Sequence, residues 1–508
     1  MSGHGLSKSR LIAWKQCPKR LWLQIHRRDL LEISDHIAQT FEIGFEVGEV
    51  ARTLYPSGIL IEDDDDLSAA LNSTRAALIT HPELPIFEAT FQHDGVLVRA
   101  DLLLPGASGY RMAEVKASAS VKPYHIDDCA IQAWVLQQNK LSLGMIEVMH
   151  INTAFVYQGK GDYHGMFTNV NVDDAVFPLL KLVPEWIKEA RATLAGEEPN
   201  IQPGLQCEDP YECPFKRHCN RHIIQVLEPS YTLDILYRMH AATKDAFHAN
   251  GIQDALLVPS ELLNETQQWI QRVSHAGVPE LFPAAKNLLA AMSYPRYYLD
   301  FETINLAVPR WEQTRPYASQ VPFQWSCHTE EANHHLKHAM FLDVSGNDPR
   351  RRCAEQMIKA LGYAGPIFVY FQSFEKSRIA ELADLYPDLA PALLAINGRI
   401  VDLLPITRAN YYHPEMKGSW SIKAVLPTIA ADLRYDLLTV GNGGDAQVAY
   451  REILHPQTPE DRKQELTLGL REYCTLDTLA MVRLAWFLQG IPINKNGSDT
   501  SNEITQKN

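Results

Sequence analysis

The sequence has 508 residues, of which 46% are hydrophobic and 21% charged, a composition typical of globular chains with about two to four domains. Its formal net charge of −14 excludes a broad basic surface for nucleic acid, so any such contact must be local. No apolar run approaches the roughly 20 residues of a membrane span or the core of a signal peptide, and eight cysteines are too few for a disulfide scaffold, so we expect a cytoplasmic protein that binds no membrane.

The first predicted element is a helix over residues 8–25, which Ser7 can cap. Pro18 lacks a backbone donor, so we expect this helix to bend at Cys17. A second helix is predicted over residues 36–54.

Three strands are predicted next, at residues 87–93, 96–104 and 110–118. Glu114 and Lys116 share a face of the third strand, and Asp101 lies across the hairpin from them. Two carboxylates can hold a metal ion that lowers the pKa of a bound water, and a lysine can orient that water or balance the charge of a phosphate. A cross-strand ion pair on a solvated face is the alternative explanation of the same residues.

A helix is predicted over residues 124–138, where His125, Cys129 and Gln132 share one stripe. Gln132 can therefore hydrogen-bond to the site of the hairpin. The alternative is a helix that packs on the sheet with Gln132 at its rim.

Four cysteines form the next pattern. Cys207, Cys213 and Cys219 lie in one tight loop, and Cys17 lies near the N-terminus. Four thiolates suit an iron–sulfur cluster, and on ligand count they suit zinc equally. Such a site would join the two ends of one domain, so its role would be mainly structural.

Asp101, Glu114-Val115-Lys116 and Gln132 resemble the core of the PD-(D/E)XK nucleases of the RecB type. This resemblance implies a nuclease-like α/β domain over residues 1–224. It implies catalytic roles for Asp101, Glu114, Lys116 and Gln132, with Mg²⁺ or Mn²⁺ bound by Asp101 and Glu114.

The cysteines resemble those of RecB-type nucleases that carry an iron–sulfur cluster, which favours a 4Fe-4S cluster over zinc on Cys17, Cys207, Cys213 and Cys219. The sequence departs from that group in three places. No His follows the glycines of residues 44–48, Leu136 stands where Tyr is common, and the first two cysteines of the loop are further apart than usual.

Residues 225–294 are predicted to form a helical linker. Residues 250–255 faintly resemble a helix–hairpin–helix module, but a plain linker is the preferred interpretation because such short motifs are weak.

The strand at residues 297–303 carries Asp300 and Glu302 on one face. Adjacent carboxylates repel each other unless a cation or a proton lies between them, and Mg²⁺ prefers such oxygen ligands. A solvated acidic edge strand is the alternative.

Further carboxylates follow in the last third of the chain. Glu375 comes directly after the buried strand 367–371, where a strand-to-helix junction can point it into a site. Glu472 opens a long helix that ends near Phe487, and Tyr473 and Asp477 face the same way because they are four residues apart.

This ordered set resembles the DnaQ-type 3′–5′ exonucleases, which have an RNase H-like fold with four acidic ligands and two metal ions. The resemblance implies that Tyr473 orients or deprotonates the attacking water and that the metal ligands are Asp300, Glu302, Glu375 and Asp477. Most members have Asp in place of Glu375 and often Asn in place of Phe371. Asp402 stands where the family often has an Asp that is not a ligand, and it is interpreted as structural.

The whole chain resembles a family of bacterial proteins that join an iron–sulfur RecB-like nuclease domain to a DnaQ-type domain. It is therefore predicted to be an α/β multidomain protein with domains at 1–224, 225–294 and 295–490 and a disordered tail at 491–508. The expected function is metal-dependent hydrolysis of DNA or RNA, single strands above all, in DNA repair or defence by analogy. The alternative is a nucleic-acid-binding scaffold whose nuclease folds are inactive.

Overall fold

Two mixed β-sheets with flanking helices form the framework of the chain. The computed structural model describes residues 5–62, 66–221 and 229–492. Unit 1 comprises Met1–Ile224 and Asn305–Ser319, and unit 2 comprises Gln225–Ile304 and Gln320–Asn508. The predicted α/β multidomain class is confirmed, and from residue 493 onward the predicted tail lies outside the described residues. Across the described ranges, no helix is both long and apolar enough to cross a membrane.

Unit 1 contains a mixed β-sheet and the helices that flank it. Its strands are β1 (Leu6–Ser7), β2 (Ile59–Leu60), β3 (Ile86–His93), β4 (Val96–Leu104), β5 (Tyr110–Lys116), β6 (Leu143–Ile151) and β7 (Phe167–Asn171). Its helices are α1 (Lys8–Gln16), α2 (Pro18–His26), α3 (Asp35–Thr53), α4 (Leu67–Thr80), α5 (Pro123–Gln138), α6 (Asp173–Leu180), α7 (Val183–Ala195) and α8 (Lys216–Asn220).

The predicted break in the first helix is confirmed. The Ser7 hydroxyl accepts a hydrogen bond from the Arg10 backbone N–H at 3.3 Å and starts α1. Cys17 is extended, with φ −162° and ψ 115°, between α1 and α2. The break follows from Pro18, which suits the first position of a helix but not its interior.

The sheet of unit 1 has the strand order β2-β3-β4-β5-β6-β7, and β1 pairs with β4 in parallel. Strands β3, β4 and β5 are antiparallel neighbours, whereas β5 and β6 are parallel and joined by α5. The predicted hairpin and the helix after it are confirmed, because the period-2 and period-3.6 apolar patterns of this stretch are strong.

Unit 2 contains a second sheet. Its strands are β8 (Glu280–Leu281), β9 (Arg296–Ile304), β10 (Val321–Glu330), β11 (Leu336–Leu342), β12 (Ile367–Val369), β13 (Ile400–Asp402) and β14 (Tyr411–Tyr412). Its helices are α9 (Ala241–Ala249), α10 (Glu265–Ala276), α11 (Ala284–Ala290), α12 (Arg350–Leu361), α13 (Gln372–Leu385), α14 (Ala390–Asn397), α15 (Leu403–Asn410), α16 (Ile422–Ile429), α17 (Gly443–Leu454) and α18 (Glu460–Gln489).

The main sheet of unit 2 has the order β11-β10-β9-β12-β13. Strand β9 is antiparallel to β10 and parallel to β12, and β12 is parallel to β13. The segment 225–294, predicted as a helical linker, belongs to unit 2 in its described part, with short helices, 3-10 turns and the strand β8, which pairs with β14.

Residues 305–319 connect β9 to β10 but belong to unit 1. Ala307 and Val308 are buried in one cluster with Val47 and Ile151, and the Tyr317 hydroxyl donates to the Ala117 carbonyl. Unit 1 is therefore completed by a segment that the predicted domain boundaries assigned to the C-terminal domain.

The last helix is longer than predicted. It begins at Glu460, not at Glu472, and ends at Gln489. Pro459 precedes it and Glu460 and Asp461 occupy its first turn, where acidic side chains favour a helix N-terminus. The prediction was wrong at this boundary because the first turns are charged and show little apolar periodicity.

Candidate functional site

Alternation along β9 assigns its side chains to two faces. Tyr297, Leu299 and Phe301 are buried in the cluster that includes α12 and α13, whereas Tyr298 is buried in the cluster that includes α18. Asp300 and Glu302 continue the Tyr298 face because successive side chains of a strand alternate. The apolar residues therefore anchor the strand, and the carboxylates point towards the side that α18 covers.

The carboxylates lie where the neighbouring strand ends. Strand β12 pairs with β9 at Tyr297 and Tyr298, and the chain then turns into α13. Asp300 and Glu302 lie beyond this pairing, at the carboxyl end of two parallel strands. Clefts at such ends are the usual binding sites of α/β sheets.

The five residues predicted for this site come together in unit 2. They line one pocket of about 400 Å³, and they are Asp300, Glu302, Glu375, Tyr473 and Asp477. Strand β9, helix α13 and helix α18 each contribute to it. Oxygen atoms of Asp300 and Glu302 and the sulfur of Cys474 all lie within 4.8 Å of one another.

Burial and mutual repulsion raise the pKa values of these carboxyl groups. Burial raises the pKa of Glu302 to about 8, and the Asp477 charge adds to it. The pKa of Asp300 lies well above its usual range because of burial and the charges of Asp477 and Glu302. Burial raises the pKa of Glu375 to about 8 and also raises that of Asp477. The pocket therefore favours protons or a bound cation.

The donor set fits a hard divalent ion. Glu375 is only 3% exposed, and its Oε2 atom has no hydrogen-bond partner in the described chain. A buried carboxylate oxygen without a partner is costly unless a cation satisfies it. Cys474 is fully buried, and burial holds the pKa of its thiol well above the ordinary value, so it stays neutral.

Two further side chains of the pocket region were missed from the sequence. The Tyr435 hydroxyl donates to Asp477 Oδ1 at 2.5 Å. The Lys423 ammonium donates to the Gly441 carbonyl at 2.7 Å and lies 5.1 Å from the ring centres of Tyr435 and Tyr473. The sequence indicated the position of Lys423, because Lys423 follows the helix cap Ser421 by two residues. Tyr435 lies in a short 3-10 turn that no sequence pattern indicated.

The phenol of Tyr473 stays protonated. It is 4% exposed, and burial together with the Asp477 charge raises its pKa far above the ordinary value. This phenol hydrogen-bonds to Asp477, an interaction that lowers the carboxyl pKa. As a donor it can orient a water or a carboxylate.

Asp402 has the geometry of a structural residue. Its carboxylate accepts hydrogen bonds from the backbone N–H groups of Phe371 and Gln372, each at 3.0 Å, and from Leu404 N–H at 2.9 Å. It thereby caps α15 and holds the junction between β12 and α13, which carries Glu375.

Unit 1 contains a second group of buried charges. The Lys116 ammonium lies 2.7 Å from Glu114 Oε1 and 2.5 Å from Asp128 Oδ2, and Lys8 lies 2.9 Å from Glu114 Oε1. Gln132 Nε2 donates to Glu114 Oε2 at 2.6 Å, as expected for that helix stripe. Asp101 Oδ2 accepts from the Val115 backbone N–H at 2.7 Å.

The lysines decide the protonation of this group. Burial opposes ionisation of Glu114, but Lys116 and Lys8 outweigh it and hold its pKa well below the usual range. Burial and the Glu114 charge raise the pKa of Asp101 to about 8. Asp128 could have been found from its position four residues before Gln132, whereas nothing in the sequence links Lys8 to Glu114.

The other predicted residues of that helix are buried. His125 Nδ1 accepts from the Lys122 backbone N–H at 3.0 Å, and burial lowers the His125 pKa to about 4. Cys129 is fully buried among apolar residues of the sheet. The stripe therefore serves mainly as packing, with Gln132 as its contact to Glu114.

The four predicted thiols line one small cavity in unit 1, together with Lys19 and Arg20. All four cysteines are free, and they are Cys17, Cys207, Cys213 and Cys219. Cys213 N–H donates to the Cys207 carbonyl at 2.8 Å, which closes the loop. Across the described residues, no three of these sulfur atoms lie within 4.8 Å of one another.

The sequence is similar to proteins and families without an assigned function. A family model described as Domain of unknown function (DUF2779) matches residues 297–421, a range that contains Asp300, Glu302 and Glu375. An uncharacterised protein, UU173, of Ureaplasma parvum serovar 3 is 25% identical over 233 residues, which cover 41% of this chain and 33% of that protein.

A second similar protein is the uncharacterised MG366 homolog of Mycoplasma pneumoniae, 24% identical over 229 residues that cover 41% of this chain and 34% of its own. The chain thus spans about a third of the length of the curated relatives it matches. No solved structure matches it.

Proposed function

We propose that the protein is a metal-dependent nuclease and that its better-supported active site is the carboxylate pocket of unit 2. The observation that carries the proposal is the convergence of four carboxylates with raised pKa values, one of which has a buried oxygen without a partner. Such a group favours protons or a bound cation, and clustered carboxylates with metal ions are suited to phosphodiester hydrolysis.

The sheet of unit 2 supports a DnaQ-type, RNase H-like interpretation. If β9, β10, β11, β12 and β13 are numbered one to five, their order in the sheet is 3-2-1-4-5. The second of these strands, β10, is antiparallel to both of its neighbours, β9 and β11. The acidic pair lies on the central strand, as that resemblance requires. A 3′–5′ exonuclease is therefore the preferred form of the activity.

The residues of the pocket have different roles in the proposed reaction. Asp300, Glu302, Glu375 and Asp477 would hold Mg²⁺ or Mn²⁺, which would activate water and stabilise charge on the phosphate. Tyr473 donates a hydrogen bond and orients the attacking water. Lys423 supplies a fixed positive charge beside the site, where negative charge develops on the phosphate during hydrolysis.

For unit 1 we propose a second, RecB-like nuclease site at Asp101, Glu114, Lys116 and Gln132. The alternative for this unit is a nucleic-acid-binding platform. The position of the Lys8 ammonium, 2.9 Å from Glu114 Oε1, favours that alternative because it already satisfies part of the charge that a metal would neutralise.

The test is degradation of single-stranded DNA and RNA by the wild type, Asp300→Asn and Lys116→Ala in Mn²⁺. We expect Asp300→Asn to lose activity at least about 10³-fold, because the metal site loses a ligand. Lys116→Ala should lower any activity of unit 1 by about 10²-fold, by analogy with the loss of one transition-state donor. Asp388→Asn, at an exposed ion pair with Arg351, is the matched control. A metal-loaded wild type that degrades no substrate would contradict the proposal in favour of a scaffold.

We also propose that the four thiols of unit 1 bind a 4Fe-4S cluster. The shared cavity of four free thiols supports a thiolate-bound metal group, and the resemblance to iron–sulfur RecB-type nucleases favours a cluster over a single zinc ion. Lys19 and Arg20 line the cavity and would balance the negative charge of a thiolate-bound cluster.

The cluster is tested by anaerobic purification and metal analysis. The wild type should be brown, absorb near ~400 nm and contain iron, as thiolate-bound clusters do. Cys213→Ser should lose the iron and destabilise unit 1, whereas Cys353→Ala, at a buried cysteine of unit 2, should keep it. Stoichiometric zinc without iron would exclude the cluster.

A further inference from the structure

Phe371 combines an exposed ring with a strained backbone at the carboxylate pocket. Its side chain is 57% exposed and lines the pocket together with Asp300 and Glu375. Its backbone has φ +88° and ψ +66°, in the left-handed region that residues with a Cβ rarely adopt. Strain of this kind persists only where the surroundings hold it, and it concentrates at functional sites.

The carboxylate of Asp402 holds this conformation. One of its oxygens accepts from the Phe371 N–H and the other from the Gln372 N–H, while the Phe371 carbonyl accepts from the Phe374 N–H at 3.2 Å. The backbone is therefore fixed on both sides of Phe371. Because Asp402 is itself anchored at the start of α15, the backbone that carries the ring has a defined place at the edge of the pocket.

A single exposed aromatic residue is ordinary on a protein surface. Phe371 differs because a costly backbone conformation keeps its ring beside a group of carboxylates. Glycine or asparagine would tolerate this backbone conformation better, so the presence of the ring requires an explanation. An aromatic ring beside a site for phosphodiesters can stack with a nucleobase, and such stacking accepts every base because each has a π-face.

We infer that Phe371 is the stacking platform for an unpaired nucleobase next to the scissile phosphate. The inference rests on the proposed nuclease function. A base in a duplex end cannot reach the ring without first leaving its pair, and unpairing costs free energy. The site therefore prefers single strands and shows little sequence preference.

The experiment compares two fluorescent single-stranded oligonucleotides of one sequence, of which one lacks the base of its 3′-terminal nucleotide. Binding to the full-length protein is measured by anisotropy with Ca²⁺, and hydrolysis is measured with Mn²⁺. The missing base should weaken binding to the wild type about tenfold. The penalty should fall below about twofold in Phe371→Asn and remain in Phe371→Tyr, because only Tyr keeps the ring.

The controls separate the ring from the fold. Asn tolerates the left-handed region, so Phe371→Asn should melt at the same temperature as the wild type or higher. Tyr363→Asn removes a ring that is 94% exposed and lies outside the pocket, and it should behave like the wild type. The inference is overturned if the wild type shows no penalty for the missing base, or if Phe371→Asn shows an equal one. Base-dependent binding without hydrolysis would instead overturn the nuclease proposal and leave the stacking role in place.

Discussion

The acidic groups of the two units differ in what neutralises them. In unit 1, the ammonium groups of Lys8 and Lys116 lie within 3 Å of Glu114, and Lys116 also contacts Asp128. In unit 2, four carboxylates share a pocket with one ammonium, that of Lys423, which donates to the Gly441 carbonyl. The pKa of Glu114 is accordingly lowered, whereas that of Glu302 is raised to about 8.

The difference shows that a carboxylate on a buried strand does not by itself identify a metal site. A lysine from another element can take the place of the cation, as Lys8 does from a position 106 residues before Glu114. Where no lysine forms an ion pair with the carboxylates, as in the described part of unit 2, their repulsion is relieved by a proton or a metal ion. This is why unit 2 is the stronger candidate for metal-dependent chemistry.

The largest expected effect concerns the ion pairs of unit 1. Glu114→Gln removes the carboxylate that both lysines contact, and Glu114 is 2% exposed. Leaving a buried charge without its partner is strongly destabilising, and because Asp128 remains we expect a loss of about 3 kcal/mol in the free energy of unfolding. Urea unfolding measures the loss, and hydrogen exchange at the amides of α5 locates it in unit 1.

The matched variant in unit 2 is Asp300→Asn, measured without metal. It replaces a carboxyl group whose ionised form is disfavoured by burial and by the neighbouring carboxylates with a neutral amide, so the metal-free protein should be as stable as the wild type or more stable. If Glu114→Gln and Asp300→Asn destabilise the protein equally, the comparison between the two units fails.

A smaller effect is expected in the pH dependence of stability. The pKa of Glu302 is about 8 in the folded chain and about 4.5 in the unfolded chain, so between these values the folded state binds a proton that the unfolded state releases. The stability of metal-free protein should therefore fall as the pH rises from about 5 towards 8, and for this group the loss between about pH 5 and pH 7 should be about 2.5 kcal/mol. Thermal unfolding over this pH range measures the slope.

The control for this slope is Glu302→Gln, which lacks the titrating group and should show a flatter dependence. Mn²⁺ should flatten it in the wild type as well, because a bound ion replaces the protons and stabilises the folded state. An identical slope in the wild type, in Glu302→Gln and with Mn²⁺ would mean that Glu302 does not titrate in the way its surroundings require.

Local spacing explains why the sequence was sufficient for much of the site in unit 2. Asp300 and Glu302 are two residues apart on a strand, and Tyr473 and Asp477 are four apart on a helix, so each pair shares a face in any fold that keeps those elements. The cap at Ser7, the break at Cys17 and the hairpin after Phe87 likewise follow from local rules.

Only the tertiary structure determines which charged side chains are in contact and in which direction their pKa values shift. The contact of Lys8 with Glu114, the hydrogen bond of Tyr435 to Asp477 and the place of residues 305–319 in unit 1 join distant parts of the chain. The apolar periodicity of the sequence does not predict such contacts, because they depend on how helices and strands pack and on how far each side chain reaches. The sequence by itself thus determined the main helices and strands and the spacing of the acidic pairs. The packing of these elements determined that lysines form ion pairs with Glu114, whereas burial and neighbouring carboxylates raise the pKa of Asp300.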